Sequence, residues 1–157
     1  MGKLDLDKVP VKTGSIYPDP YAAEMAGRSS LRLGDAGGLT QFGANLVILA
    51  PGAKSSLRHW HMNEDEFVMI TQGTCTLVDN NGEHEMATGD CAAFPADTEN
   101  GHHFINNTDT EARFLVVGTK ADSETAYYSD IDLMVKIGDG KATFMRKDGS
   151  PLSKEGA

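Results

Sequence analysis

The chain has 157 residues, 39% of them hydrophobic and 24% charged, with a formal net charge of −9. That length suits a single domain with a sizeable core, and the balance of apolar and charged residues excludes a disordered chain. The acidic balance argues against a nucleic-acid partner, and no apolar run approaches the roughly 18–20 residues of a membrane span.

The N-terminus alternates charge with leucine and lacks the apolar core of a signal peptide, which points to a cytoplasmic protein. Residues 1–27 are punctuated by Pro and Gly and read as irregular, with one or two helical turns over residues 20–26. From residue 28 to about 120 short β-prone segments alternate with Gly, Asn, Asp or Pro. One long strand is expected over 39–49, then a turn at Gly52, a strand at 59–61, a polar bend at 62–65 and a strand at 66–71. Gln72-Gly73 leads into 74–78, and Asp79-Asn80-Asn81-Gly82 signals a hairpin returning through 83–86. Strands at 91–94, 102–106 and 112–117 close the series. The spacing is that of an all-β sandwich or barrel in one domain. Residues 121–146 alternate apolar positions (Tyr127, Ile131, Leu133, Val135, Ile137) and read as an arm laid over the barrel or lent to a partner subunit, hence an expected homodimer. Residues 147–157 read as a solvated tail. Cys75 and Cys91 read as two small buried hydrophobes in a reducing compartment.

The chemistry concentrates in His59-Trp60-His61 and Glu66. Alternate residues of a strand share a face, so His59 and His61 project together while Trp60 packs on the other side. Two imidazoles and a carboxylate suit a divalent transition metal (Fe, Mn, Ni or Zn) without choosing among them. Glu64 and Asp65, in the adjoining bend, are candidate catalytic acid, base or substrate contacts. His84, between two glutamates beside a hairpin turn, reads as solvent-facing, and Phe42, Phe94 and Phe104 as core or pocket wall. Arg58 has strand parity opposite to the histidines and should point away from them. The motif strands supply few other cations, which makes a sugar-phosphate substrate the less favoured choice.

Gly52, His59-x-His61, Glu66 and Gly73 together resemble the first motif of the cupin family, and Gly89, Pro95, a histidine at 102 or 103 and Asn106 resemble the second. The resemblance implies a double-stranded β-helix, or jelly-roll, with a barrel core at about 28–120. It also implies a metal held by His59, His61, Glu66 and a second-motif histidine. His102 is the preferred choice, because it shares parity with Phe104 and Asn106. The sequence departs from the pattern in an expanded loop at 95–101, with Asp97 where a glycine is usual. The scaffold hosts dioxygenases, decarboxylases, isomerases and lyases. The expected function is therefore a metal-dependent enzyme acting on a small organic molecule, the alternative being a non-catalytic small-molecule binder or sensor with a structural or ligand-anchoring metal.

Overall fold

A computed structural model describes residues 2–152. The strands are β1 (Val11–Thr13), β2 (Arg28–Arg32), β3 (Phe42–Leu49), β4 (His59–His61), β5 (Glu66–Gln72), β6 (Thr74–Asp79), β7 (Gly82–Ala87), β8 (Cys91–Phe94), β9 (His103–Ile105), β10 (Ala112–Thr119), β11 (Ser123–Tyr128), β12 (Leu133–Gly138) and β13 (Lys141–Met145). The first long strand begins at Phe42 rather than at residue 39, because a helical turn at Leu33–Ala36 and the loop after it take up the preceding residues. Residues 2–27 are more ordered than their composition suggests, holding β1 and two short 3-10 turns, Leu6–Lys8 and Tyr21–Met25.

The strands form a six-stranded sheet (β1-β2-β3-β10-β5-β8), a four-stranded sheet (β13-β12-β11-β4) and a three-stranded sheet (β7-β6-β9). All pairings are antiparallel. The expected barrel is therefore only partly realised, since the sheets do not close into one continuous wall. The two smaller sheets meet at a single bridge, His59 to His102, and Lys54, ahead of β4, makes another to Ile105, in place of a full ladder. The hairpin at residues 79–82 forms as expected, with Asp79 opposite Gly82. Gly73 ends β5 at φ +71°, where an added Cβ would lie 2.8 Å from the Glu111 carbonyl oxygen, so only glycine fits.

The main core lies between the six- and three-stranded sheets. Val47, Leu49, Val68, Ile70 and Phe114 from the first meet Cys75, Leu77, Met86 and Phe104 from the second. Alternation explains the choice of residues, as β6 buries Cys75 and Leu77 while the residues between them face out. A second core gathers Ala126, Tyr128, Leu133 and Val135 with Tyr17, Leu57, Phe144 and Leu152. Most apolar residues of the 121–146 arm are thus packed against their own chain, Ile137 at 40% exposure being the exception. Leu152 packs into this core and Arg146 donates its backbone N–H to the Ser150 carbonyl, so residues 147–152 are not a free tail. The remainder of the expected tail lies outside the described residues. Two further expectations change. Cys91 is exposed, because β8 is a short edge strand paired only with β5, and Phe42 is 39% exposed at the start of β3.

Candidate metal centre

β4 is short, but it is held on both sides. β11 pairs His61 with Ala126 and His59 with Tyr128, and on the other edge His59 and His102 exchange backbone hydrogen bonds at 3.2 and 3.0 Å. Glu66 enters from the opposite layer, at the start of β5. Donor atoms of His59, His61 and Glu66 lie within 4.8 Å of one another. His61 Nε2 is 3.3 Å from Glu66 Oε2, and His102 Nε2 is 3.5 Å from Glu66 Oε1. His102 is buried and its ring stacks flat on Phe94, with centroids 3.4 Å apart. His103 lies elsewhere, its Nδ1 3.0 Å from the Ser56 carbonyl. Trp60 projects to the other face and stacks on Tyr127 at 4.9 Å, and His84 reaches Asp79 at the surface.

The residues present fit a cation. His59 Nδ1 lies 2.7 Å from the Leu57 carbonyl, which fixes the proton there and leaves Nε2 as a lone-pair donor. His102 Nε2 and His61 Nδ1 are buried with no hydrogen-bond partner. Orphaned buried polar atoms cost about 1–3 kcal/mol each unless something satisfies them. Burial first, and then the neighbouring His61, lowers the His59 pKa to about 4, so its imidazole is neutral at pH 7. Burial opposes ionisation of Glu66, but the close approach of the His102 and His61 rings outweighs it and holds the carboxyl well below the usual range. Burial likewise acts to lower the His61 pKa. The Glu66 hydrogen bond and the charges of Glu66, Glu124 and Glu64 reverse that and leave it raised. Three imidazoles converging on a buried carboxylate are a donor set for a divalent transition metal.

Behind His61 sits a second acidic group, Glu64 and Glu124, also within 4.8 Å of a His61 nitrogen. Glu124 is fully occupied, accepting N–H bonds from Met62, Asn63 and Thr125. Glu64 accepts from the Ala121 N–H, and burial raises its pKa. Asp65 accepts from the Ala96 N–H at 2.8 Å and ties the bend to the 95–101 loop. Neither Glu64 nor Asp65 lines the cavity into which His59, His61, Glu66 and His102 face.

That cavity has a volume of about 480 Å³ and lies between the six- and four-stranded sheets. Its walls include residues absent from both sequence motifs. Tyr17 comes from the N-terminal arm, Tyr128 and Val135 from β11 and β12, and Lys12, Arg28 and Arg32 from β1 and β2. Arg58 points away as expected, pairing with Asp130 at 2.8 Å. The motif strands themselves bring no cation to the cavity wall. The cations that reach the cavity come from elsewhere, and the alternation of Arg28, Ser30 and Arg32 was the signal that could have revealed them.

The cupin domain family model matches residues 45–118. A sugar phosphate isomerase from a cupin superfamily, of Silicibacter pomeroyi, is 63% identical over 98% of each chain, with a TM-score of 0.96. This chain is a cupin. A candidate sugar phosphate isomerase of Acidithiobacillus ferrooxidans is 27% identical, covering 82% of this cupin and 81% of that chain at a TM-score of 0.73. The polyketide cyclase RemF of Streptomyces resistomycificus, at 19% identity and a TM-score of 0.60 over 76% of this chain and 79% of its own, shares the fold. No curated protein matches the chain.

Proposed function

We propose that this cupin is a divalent-metal-dependent isomerase interconverting the aldose and ketose forms of a sugar phosphate. The observation that carries the reading is the convergence of His59, His61, His102 and Glu66 on one wall of a substrate-sized cavity. The names of the two relatives at 63% and 27% identity support the substrate class. In this reading His59, His61, Glu66 and His102 hold the metal, which when bound supplies Lewis-acid polarisation of a carbonyl or hydroxyl oxygen. The isomerisation moves a proton from the carbon beside the carbonyl to the carbonyl carbon, and another between the two oxygens, with no net gain or loss of atoms. Burial raises the pKa of both Tyr17 and Tyr128, so these cavity phenols stay protonated and serve as hydrogen-bond donors to substrate oxygens. Glu64 acts through His61 as a positioning residue, and Asp65 holds the bend beside it. Glu64→Gln should therefore lower metal affinity more than it raises KM.

The test is turnover. Protein loaded with Fe(II), Mn(II), Ni(II) or Zn(II) is incubated with three- to six-carbon aldose phosphates, and ketose is followed by NMR. Metal-dependent conversion that disappears in Glu66→Gln is expected. Saturable binding without conversion in every loaded form would instead favour a non-catalytic binding protein.

We also propose a cytoplasmic homodimer. Free thiols at Cys75 and Cys91 suit a reducing compartment, and no helix among the described residues is long and apolar enough to cross a membrane. The outer face of the six-stranded sheet presents Val11, Phe67 and Met69, all exposed, in register with Leu46 and Leu115. Light scattering that gives a monomer mass at all concentrations would overturn the dimer.

A further inference from the structure

The cavity is electrostatically divided. Glu66 is the one carboxylate on its wall among the described residues, and it sits with the imidazoles. The six-stranded sheet contributes Lys12, Arg28 and Arg32, an unusual concentration of cations in a chain of net charge −9. Register explains how they converge. Arg28, Ser30 and Arg32 alternate onto one face of β2, opposite Leu49, Val47 and Asn45 of β3, and Lys12 of β1 stands beside Ser30.

Arg28 is the informative member. It is half-buried, its Nε is buried with no hydrogen-bond partner, and it makes no ion pair among the described residues. Arg32 has only a long, exposed contact to Asp35 at 3.8 Å, and Lys12 has no ion pair among the described residues. A half-buried guanidinium without an anion is costly to maintain, since it has lost water and gained nothing in exchange. Its planar fork matches a phosphate better than any neutral group. The metal-ligating face lies two aromatic rings away along one wall. His59 and Tyr128 are 5.7 Å apart between centroids, Tyr128 and Tyr17 are 5.5 Å apart, and Tyr17 adjoins Arg28 closely enough for each to shift the other's titration.

We propose that Arg28, flanked by Lys12 and Arg32, is the phosphate subsite of the cavity, so that a sugar phosphate lies along the Tyr17–Tyr128 wall with its carbonyl end at His59, His61 and Glu66. The sugar half rests on the isomerase reading above. The phosphate half rests on the cavity itself.

Inorganic phosphate is the probe, titrated by calorimetry and 31P NMR into metal-free protein so that no metal can bind it. Wild type should bind it saturably. Arg28→Gln should weaken binding roughly ten- to hundredfold, the range for loss of hydrogen bonds to a charged group, and Arg28→Lys should fall between. Arg146→Gln, far from the cavity wall, should match wild type. If Arg28→Gln does not fold by thermal melting, the Lys12→Ala/Arg32→Gln protein carries the test, with a loss of about threefold or more expected from two screened charges. In metal-loaded protein Arg28→Gln should raise KM for the sugar phosphate and leave affinity for the free sugar unchanged. Wild type without saturable phosphate binding, or variants with wild-type affinity, overturns the subsite. Absent turnover with intact phosphate binding overturns the isomerase reading and leaves the subsite standing.

Discussion

Asn106→Ala is the substitution whose effect follows most directly from the packing. Asn106 is completely buried. Its Nδ2 donates to the Leu49 carbonyl at 2.9 Å and to the Thr110 carbonyl at 2.8 Å, and its Oδ1 accepts from the Thr108 N–H at 3.0 Å and from Thr108 Oγ1 at 2.7 Å. One side chain thus ties the end of β3 to the turn after β9, the strand that continues from His102. The alanine variant orphans the Leu49 carbonyl, at a cost of about 1–3 kcal/mol, while the Thr110 carbonyl keeps its donor in Thr108 Oγ1 at 3.0 Å and the more exposed Thr108 groups recover water. The expected loss is about 1–3 kcal/mol, a sizeable part of the roughly 5–15 kcal/mol of a typical domain. In urea, with a slope of about 2 kcal/mol per molar, the midpoint should fall by about 0.5–1.5 M with the slope unchanged. Asn106→Asp keeps the acceptor and loses the donors, so it should be at least as destabilised at pH 7. A midpoint shift below about 0.5 M for the alanine variant would show that the clasp contributes little and that the reasoning from buried unsatisfied groups fails here.

Three further outcomes are expected. Asp97 adopts φ +57° in the 95–101 loop while its N–H reaches the His61 carbonyl at 2.9 Å. Asp97→Val should therefore cost about 1–2 kcal/mol and Asp97→Gly should not, which paired denaturation curves would check. Cys91 is exposed, whereas Cys75 is buried with its thiol pKa pushed up to about 11, so a thiol reagent at pH 8 should label one cysteine quickly and the second only on unfolding. Equal rates would contradict the placement of β6 in the core. The Arg58 hydrogen bond holds the Asp130 carboxyl below its ordinary 3.8. A depressed carboxylate stabilises the fold above its unfolded pKa and loses that contribution as pH falls through the folded value. Asp130→Asn should therefore narrow the stability gap to wild type below about pH 4, by less than about 1 kcal/mol because the Asp130 carboxylate is largely exposed.

The residues of the candidate site were legible because a strand's period of two turns sequence spacing into a shared face. His59 and His61 need only β4 to be a strand, and Glu66 needs only the next strand to begin where it does. The choice of His102 over His103 also came from parity, and the structure turns His102 toward Glu66 and His103 toward Ser56. What was not legible depends on pairings distant in sequence. Nothing local says that β11 runs beside β4, which is why the 121–146 arm read as a strap and not as a third layer with its own core. Arg28 was missed for the same reason, since its face is set by β2 pairing with β3 and β1. Cys91 was misjudged because a four-residue edge strand carries too little alternation to tell its faces apart. The left-handed φ at Asp97 accounts for the glycine usual at that place in the motif, and Asp is among the few other residues that tolerate it.

The central claim is that His59, His61, Glu66 and His102 together hold one divalent metal. Metal content after supplementation with Mn(II) or Ni(II) and gel filtration, measured by mass spectrometry on folded protein, tests it most directly. Wild type, His84→Ala and His103→Ala should each retain about one equivalent, while His61→Ala, Glu66→Gln and His102→Ala should lose most of it, a tenfold or greater fall in affinity. Wild-type metal content in His61→Ala or His102→Ala, or no metal retained by supplemented wild type, would contradict the claim.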